Sequence, residues 1–211
     1  MTHVTAKICG VSTLETIDAA IEGGASHIGL NFFAPSPRHV GFALAERLAA
    51  RIPRHVLRVG VFVDPDDELL DRAIRTGLDA VQLHKVTPER TAAVRRRFAR
   101  ETWAVVAVKT RADLDAARAY TAAADRLLYD AKTPDTAALP GGMGVRFDWS
   151  LLEGFRHPLP WALSGGLDAR NVADAVRRTG ATLVDVSSGV ETAPGVKDVD
   201  KITAFLKALA V

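Results

Sequence analysis

Lys7-Ile8-Cys9-Gly10 closes the first apolar run of the chain on a polar, chemically useful residue, and the same form recurs along the sequence. Leu30 gives way to Asn31, Val63 to Asp64, Leu83 to His84, Val108 to Lys109, Tyr129 to Asp130, Leu163 to Ser164-Gly165-Gly166, and Val186 to Ser187-Ser188-Gly189. Counted with the first, these make eight endings, and helical patterns separate them. A chain that turns helical after every strand lays its strands parallel, and about eight such units close a barrel whose strand ends share one rim. The expected fold is therefore α/β, a single-domain (β/α)8 TIM barrel over residues 1–211, with its active site on that rim.

The runs themselves are Val4 to Ile8, His27 to Leu30, Leu57 to Val63, Ala80 to Leu83, Trp103 to Val108, Arg126 to Tyr129, Trp161 to Leu163 and Leu183 to Val186. Between them the helices carry period and punctuation. Ser12 with Glu15 reads as a capping box ahead of Leu14, Ile17 and Ile21, and Gly23-Gly24 ends that helix. Thr87-Pro88 opens another, while Val199, Ile202, Phe205 and Leu209 give the last helix its apolar stripe. Two connections are unusually long for βα units: residues 32–39, and residues 131–146 with their Pro-Gly-Gly-Met-Gly segment. They read equally as substrate-binding loops and as ordinary surface loops.

Bulk composition narrows the class. The chain has 211 residues, enough for one sizeable core, and 27 Lys and Arg against 25 Asp and Glu leave a formal charge of +2. So even a balance argues against a nucleic-acid platform. One cysteine excludes a disulfide framework and a Cys-rich zinc site and fits a reducing compartment. No secretion-signal pattern opens the sequence and no apolar run approaches membrane-spanning length, on the order of 18 residues. A soluble cytoplasmic protein is expected, with no membrane partner, no metal and no His-x-x-x-His pair; apolar helix faces leave monomer and homodimer both open.

Strand alternation sorts the rim residues by face, because i and i+2 project the same way. Lys7 and Cys9 oppose Ile8; Gln82 and His84 oppose Val81 and Leu83; Asp185 and Ser187 oppose Val184 and Val186. The apolar sets pack on helices, so the polar sets face into the barrel, where each needs a partner or a ligand. Taken singly, Cys9 reads as a small buried hydrophobe, His84 as a satisfied hydrogen-bonding residue, Asp130 as a cap or loop anchor, and Arg38 as an exposed loop charge. At the C-terminal ends of barrel strands they become candidates for catalysis and binding. Gly165-Gly166 and Ser187-Ser188-Gly189, after the last two strands, lie where such barrels cradle a phosphate on backbone amides. Lys7 reads either as the positive charge that favours the Cys9 thiolate or as half of a buried ion pair.

In order along the chain, Lys7-Ile8-Cys9-Gly10, Gly29-Leu30-Asn31-Phe32 with Ser36-Pro37-Arg38, Val59-Gly60-Val61-Phe62, Val81-Gln82-Leu83-His84, Leu128-Tyr129-Asp130, Gly141-Gly142-Met143-Gly144 with Phe147-Asp148-Trp149, Leu163-Ser164-Gly165-Gly166-Leu167 and Val184-Asp185-Val186-Ser187-Ser188-Gly189-Val190-Glu191 resemble the phosphoribosylanthranilate isomerases of tryptophan biosynthesis. The resemblance implies a cofactor-independent Amadori rearrangement of a phosphosugar-anthranilate substrate. It implies Asp130 as general acid, Cys9 as general base, Arg38 on the anthranilate carboxylate, Asp185 on sugar hydroxyls and His84 as a further substrate contact. Gly165, Gly166, Ser187, Ser188 and Gly189 match the phosphate grip. Lys85, where glycine usually follows, and Met143, in place of a small polar residue, depart from the family pattern. The sister isomerase of histidine biosynthesis has a carboxylate where Cys9 stands and a second phosphate grip, neither of which is seen here. A catalytically silent phosphosugar binder is argued against by the retention of both Cys9 and Asp130.

Overall fold

Each barrel strand is half of a sandwich: one face packs on helices, the other fills a closed tube. In the computed structural model, which describes residues 4–133 and 144–209, β1 (Thr5–Cys9), β2 (His27–Asn31), β3 (Leu57–Val63), β4 (Ala80–His84), β5 (Glu101–Val108), β6 (Arg126–Ala131), β7 (Trp161–Leu163) and β8 (Leu183–Val186) form a closed barrel in sequence order. All pairings in it are parallel, and β1 meets β8 through the registers Lys7 with Asp185 and Ile8 with Val186. The barrel predicted from eight polar strand endings is therefore the barrel observed.

The outer layer comprises α1 (Leu14–Glu22), α2 (Phe42–Arg51), α3 (Asp67–Arg75), α4 (Pro88–Phe98), α5 (Arg111–Asp115), α6 (Val172–Thr179) and α7 (Val199–Lys207). Outward strand residues Ile8, Ile28, Leu30, Phe62, Val81 and Leu83 are buried against Ile17, Leu48, Leu70, Val94, Ile202 and Phe205 of these helices. Two local details differ from the sequence reading. The first helix is capped by Thr13, whose hydroxyl accepts from the Thr16 amide, rather than by Ser12 with Glu15. Either hydroxyl could serve in that stretch, and the extended backbone of Thr13 (φ −132°, ψ 152°) carries the cap. The sixth connection has, among its described residues, a 3-10 turn (Trp149–Leu152) in place of an α-helix. A small antiparallel hairpin, β9 (Glu191–Ala193) with β10 (Val196–Lys197), follows the eighth strand.

Inside the tube the layers change character along the axis. Val59, Ala80, Trp103, Leu128, Ala162 and Leu183 form a separate apolar cluster in the barrel's lower part. One alternation further along the same strands come Val61, Gln82, Asp130, Ser164 and Asp185, which line an open cavity instead. No described helix is long and apolar enough to cross a membrane.

Candidate active site

A cavity opens at the C-terminal rim, about 790 Å³ of space when the open solvent at its mouth is counted. Cys9 reaches it from β1, Asn31 from β2, Val61 and Val63 from β3, Gln82 and His84 from β4, Asp130 from β6, Ser164 from just beyond the end of β7 and Asp185 from β8. Phe33, Ser36 and Arg38 enter from the loop after β2, and Gly165, Gly166, Ser187 and Ser188 from the turns after β7 and β8. Nine of the ten site residues expected from sequence therefore meet at one cavity. Gly189 is the tenth: it does not line the cavity, and a Cβ there would collide with the Leu167 carbonyl oxygen, so it packs the eighth turn onto the seventh. Gly141, Gly142 and Met143 lie outside the described residues.

A buried hydrogen-bonded set links the strands below the ligand space. Lys7 is fully enclosed, and its Nζ donates to Asp185 Oδ1 at 2.7 Å. Ser164 Oγ donates to the other oxygen of Asp185, Oδ2, at 3.1 Å. Of the two readings of Lys7, the structure shows the buried ion pair with Asp185, while the pull of the ammonium on the Cys9 thiol is smaller than the opposing effect of burial. Burial would pull the Lys7 ammonium towards neutrality, but Asp185 and Cys9 outweigh that and raise it to about 12. Gly29 makes the crowding possible, because a Cβ there would sit 3.0 Å from Cys9 Sγ and 3.1 Å from Lys7 Nζ.

Burial raises Asp130, with the negative charge of Asp185 adding to it, to about 7; the Ala131 amide, Lys7 and Ser164 pull the other way. An ordinary aspartate ionises near 4, so this carboxyl can still hold a proton close to neutral pH. Gly165 permits the approach of β7: its φ is +94°, and a Cβ would stand 2.9 Å from the Ala131 amide nitrogen and 3.3 Å from Asp130 Oδ1.

Cys9 differs from the expectation of a thiolate made ready by Lys7. Burial raises its pKa, and although Lys7 and Lys197 lower it, the desolvation prevails. A thiol in the low-dielectric interior loses more from its missing water than one ammonium returns. His84 is driven down to about 4, by burial first and by Lys7 second, so it is a neutral polar contact. Its Nε2 lies 2.9 Å from Gln82 Nε2, while the buried Gln82 Oε1 finds no partner among the described residues. The Lys85 departure also has a structural reading: its φ is +56°, the left-handed conformation that glycine adopts without cost.

Sequence reasoning missed the charges behind Arg38. Its Nε and Nη2 donate to Glu191 Oε1 and Oε2 at 2.8 and 2.7 Å, and Lys197 Nζ donates to the same Glu191. The expected exposed loop charge is therefore a buried, clamped guanidinium. Arg38 and Glu191 are 153 residues apart, and no spacing rule pairs them; the only available signal was a carboxylate directly after the eighth-strand turn. Among the described residues no group of three or more His, Cys, Asp or Glu is placed to hold a metal ion.

A closed parallel barrel with a proton-holding carboxyl, a thiol and two glycine- and serine-bearing turns on one rim defines an acid-base enzyme of the (β/α)8 class. The family model described as N-(5'phosphoribosyl)anthranilate (PRA) isomerase matches residues 6–208, and the chain belongs to that family. It is 56% identical over 208 residues to the N-(5'-phosphoribosyl)anthranilate isomerase of Zymomonas mobilis subsp. pomaceae, covering 98% of each chain. Among solved structures, phosphoribosyl anthranilate isomerase from Thermotoga maritima superposes with a TM-score of 0.87 at 36% identity, over 98% of both chains. A phosphoribosyl anthranilate isomerase in complex with reduced 1-(o-carboxyphenylamino)-1-deoxyribulose 5-phosphate gives 0.85 at 34% identity, again over 98% of each chain.

Proposed function

We propose that this chain isomerises N-(5'-phosphoribosyl)anthranilate to 1-(2-carboxyphenylamino)-1-deoxyribulose 5-phosphate, with Asp130 as general acid and Cys9 as general base. The observation that carries the assignment is the opening of both groups into one cavity, one of them a carboxyl buried enough to be protonated near pH 7.

The chemistry follows from the environments. Asp130 gives its proton to the furanose ring oxygen; the C1–O bond breaks, and the anilino nitrogen's lone pair takes up the charge as an iminium. That cation acidifies the C2–H bond. Cys9, as the thiolate, takes the C2 proton, the electron pair moves into the C1–C2 bond, and a neutral enolamine results. Protonation at C1 and loss of the C2 hydroxyl proton give the ketone. Lys7 holds the thiolate fraction up against desolvation, and Asp185, fixed by Lys7 and Ser164, faces the sugar hydroxyls. The phosphate fits the turns after β7 and β8, where Gly165 and Gly166 offer backbone amides and Ser187 and Ser188 offer hydroxyls.

Adding purified protein to freshly prepared phosphoribosylanthranilate tests the reading by loss of anthranilate-type fluorescence. Wild type is expected to extinguish the signal, and Cys9→Ala and Asp130→Asn to slow its loss by about 10³–10⁴-fold. Turnover by a folded Cys9→Ala, Asp130→Ala double variant at the wild-type rate would remove both assignments.

A further inference from the structure

Glu191 and Lys197 stand one step behind the cavity wall and touch none of the reacting atoms in the scheme above. Both belong to the β9–β10 hairpin, and both side chains are nearly inaccessible, at 4% and 1% exposure. Glu191 accepts from two nitrogens along one edge of Arg38, at 2.8 and 2.7 Å, the side-by-side arrangement that fixes the plane of a guanidinium. Lys197 Nζ in turn donates to Glu191 Oε1 and to the Ser187 carbonyl and hydroxyl oxygens at 3.1 and 3.2 Å, while Lys201 Nζ holds the Glu191 carbonyl at 2.6 Å. The backbone joins this clamp. A Cβ on Gly10 would lie 2.6 Å from Arg38 Cδ, and one on Gly195 would collide with the Pro37 carbonyl oxygen, so β1 and the hairpin grip the Pro37-Arg38 segment from two sides.

An unrestrained arginine has rotamer entropy to lose on binding a carboxylate. A guanidinium already held along one edge has lost it during folding, and it presents a fixed plane to a ligand. Burial pushes Glu191 towards protonation, but Arg38 and Lys197 outweigh that and keep it below its ordinary value, so the clamp stays charged.

We propose that Glu191 is the positioning residue for Arg38, that Lys197 locks Glu191 in place, and that this hairpin clamp supplies selectivity for phosphosugar arylamines bearing a carboxylate next to the nitrogen. The inference rests on the reading of Arg38 as the carboxylate contact. Two probes separate the questions: the reduced product analogue carrying the aryl carboxylate, and the same compound built from aniline, which lacks it. Binding of both is measured by calorimetry to wild type, Arg38→Ala, Glu191→Gln and the Arg38→Ala, Glu191→Gln double variant, with kcat and KM on phosphoribosylanthranilate alongside.

Glu191→Gln is expected to weaken the carboxylated probe at least fivefold, to leave the aniline probe within twofold, and to raise KM with kcat within about twofold. In the Arg38→Ala background the same substitution should add nothing. If Arg38→Ala leaves the preference between probes unchanged, the reading of Arg38 fails, and the inference with it. If Arg38→Ala abolishes the preference but Glu191→Gln keeps it, or weakens both probes equally, the positioning role alone is overturned. Should Glu191→Gln fail to fold by circular dichroism, Lys197→Met is read instead: a loss of about threefold in preference supports the lock, and an unchanged preference overturns it.

Discussion

The two halves of the barrel interior are built from the same strands, two residues apart, and they do opposite things. The lower half, with Trp103, Leu128 and Leu183 among its side chains, is dry and packed, and its burial stabilises the fold. The upper half holds Lys7, Asp185, Asp130, Gln82 and Ser164 in the same enclosure, where desolvation costs free energy that only mutual pairing offsets. The contrast teaches that this barrel concentrates its destabilising groups where they are chemically useful, and anchors them on a layer that does no chemistry. Substitutions in the two layers should therefore have opposite signatures.

The largest effect is expected at Asp130. Asp130→Asn should lower kcat/KM by about 10³–10⁴-fold, the upper range for a general acid, while raising thermal stability at pH 8. An acid whose folded pKa is raised binds more protons folded than unfolded between about 4 and 7. Wild-type stability is thus lost as pH rises through that window, and the variant escapes the loss. Melting curves at pH 5 and 8 check it: the advantage of the variant must grow with pH, and an advantage independent of pH would break the link between burial and acidity.

Trp103→Ala is the converse. It should destabilise the fold by about 3–5 kcal/mol in denaturant titration and leave kcat nearly unchanged at a temperature where the protein remains folded. A large fall in kcat with little loss of stability would mean that the two layers are not separable.

Lys7→Met sharpens the boundary between them. It takes the buried ion-pair partner from Asp185, at a cost of about 3 kcal/mol, and it removes the cation that most lowers the Cys9 pKa. Alkylation of Cys9 by iodoacetamide should then begin at higher pH than in wild type. An unmoved alkylation profile would sink the electrostatic role of Lys7.

The rate itself should report both groups. On the proposed assignment catalysis needs the Asp130 proton and the Cys9 thiolate together, with the carboxyl at about 7 and the thiol raised above its ordinary value. Below about 7 the thiolate fraction grows tenfold per pH unit while the acid stays protonated, so kcat/KM climbs. Between the two values the opposing changes cancel and the profile is flat, and above the thiol value it falls. A maximum centred near pH 5 would contradict these environments. The smallest effect concerns Lys85, whose left-handed backbone should make Lys85→Gly stabilising by about 1 kcal/mol, with activity unaltered.

The alternation of Lys7 with Cys9, Gln82 with His84 and Asp185 with Ser187 was legible because strand period follows from backbone geometry alone. In the structure the same period puts Leu128 in the apolar layer and Asp130 above it in the cavity wall. Ser12 and Thr13 carry the same hydroxyl chemistry one residue apart, so the pattern alone does not separate them as caps, and the folded chain uses Thr13. The sequence does not show that Gly189 packs against Leu167 outside the cavity lining, because a glycine needed for packing and one needed for a ligand look alike in sequence.

By itself the sequence determined the count and order of the strands, the rim on which their polar ends gather, and the thiol and carboxyl that gather there, since these depend on local periodicity and connection. Tertiary structure alone decided the protonation states and the partners. Burial raised Asp130 and Cys9 together, and the closure of β8 on β1 set Lys7 against Asp185 across 178 residues of chain. Desolvation and long-range pairing depend on what surrounds a group in space, and no local pattern of residues encodes that.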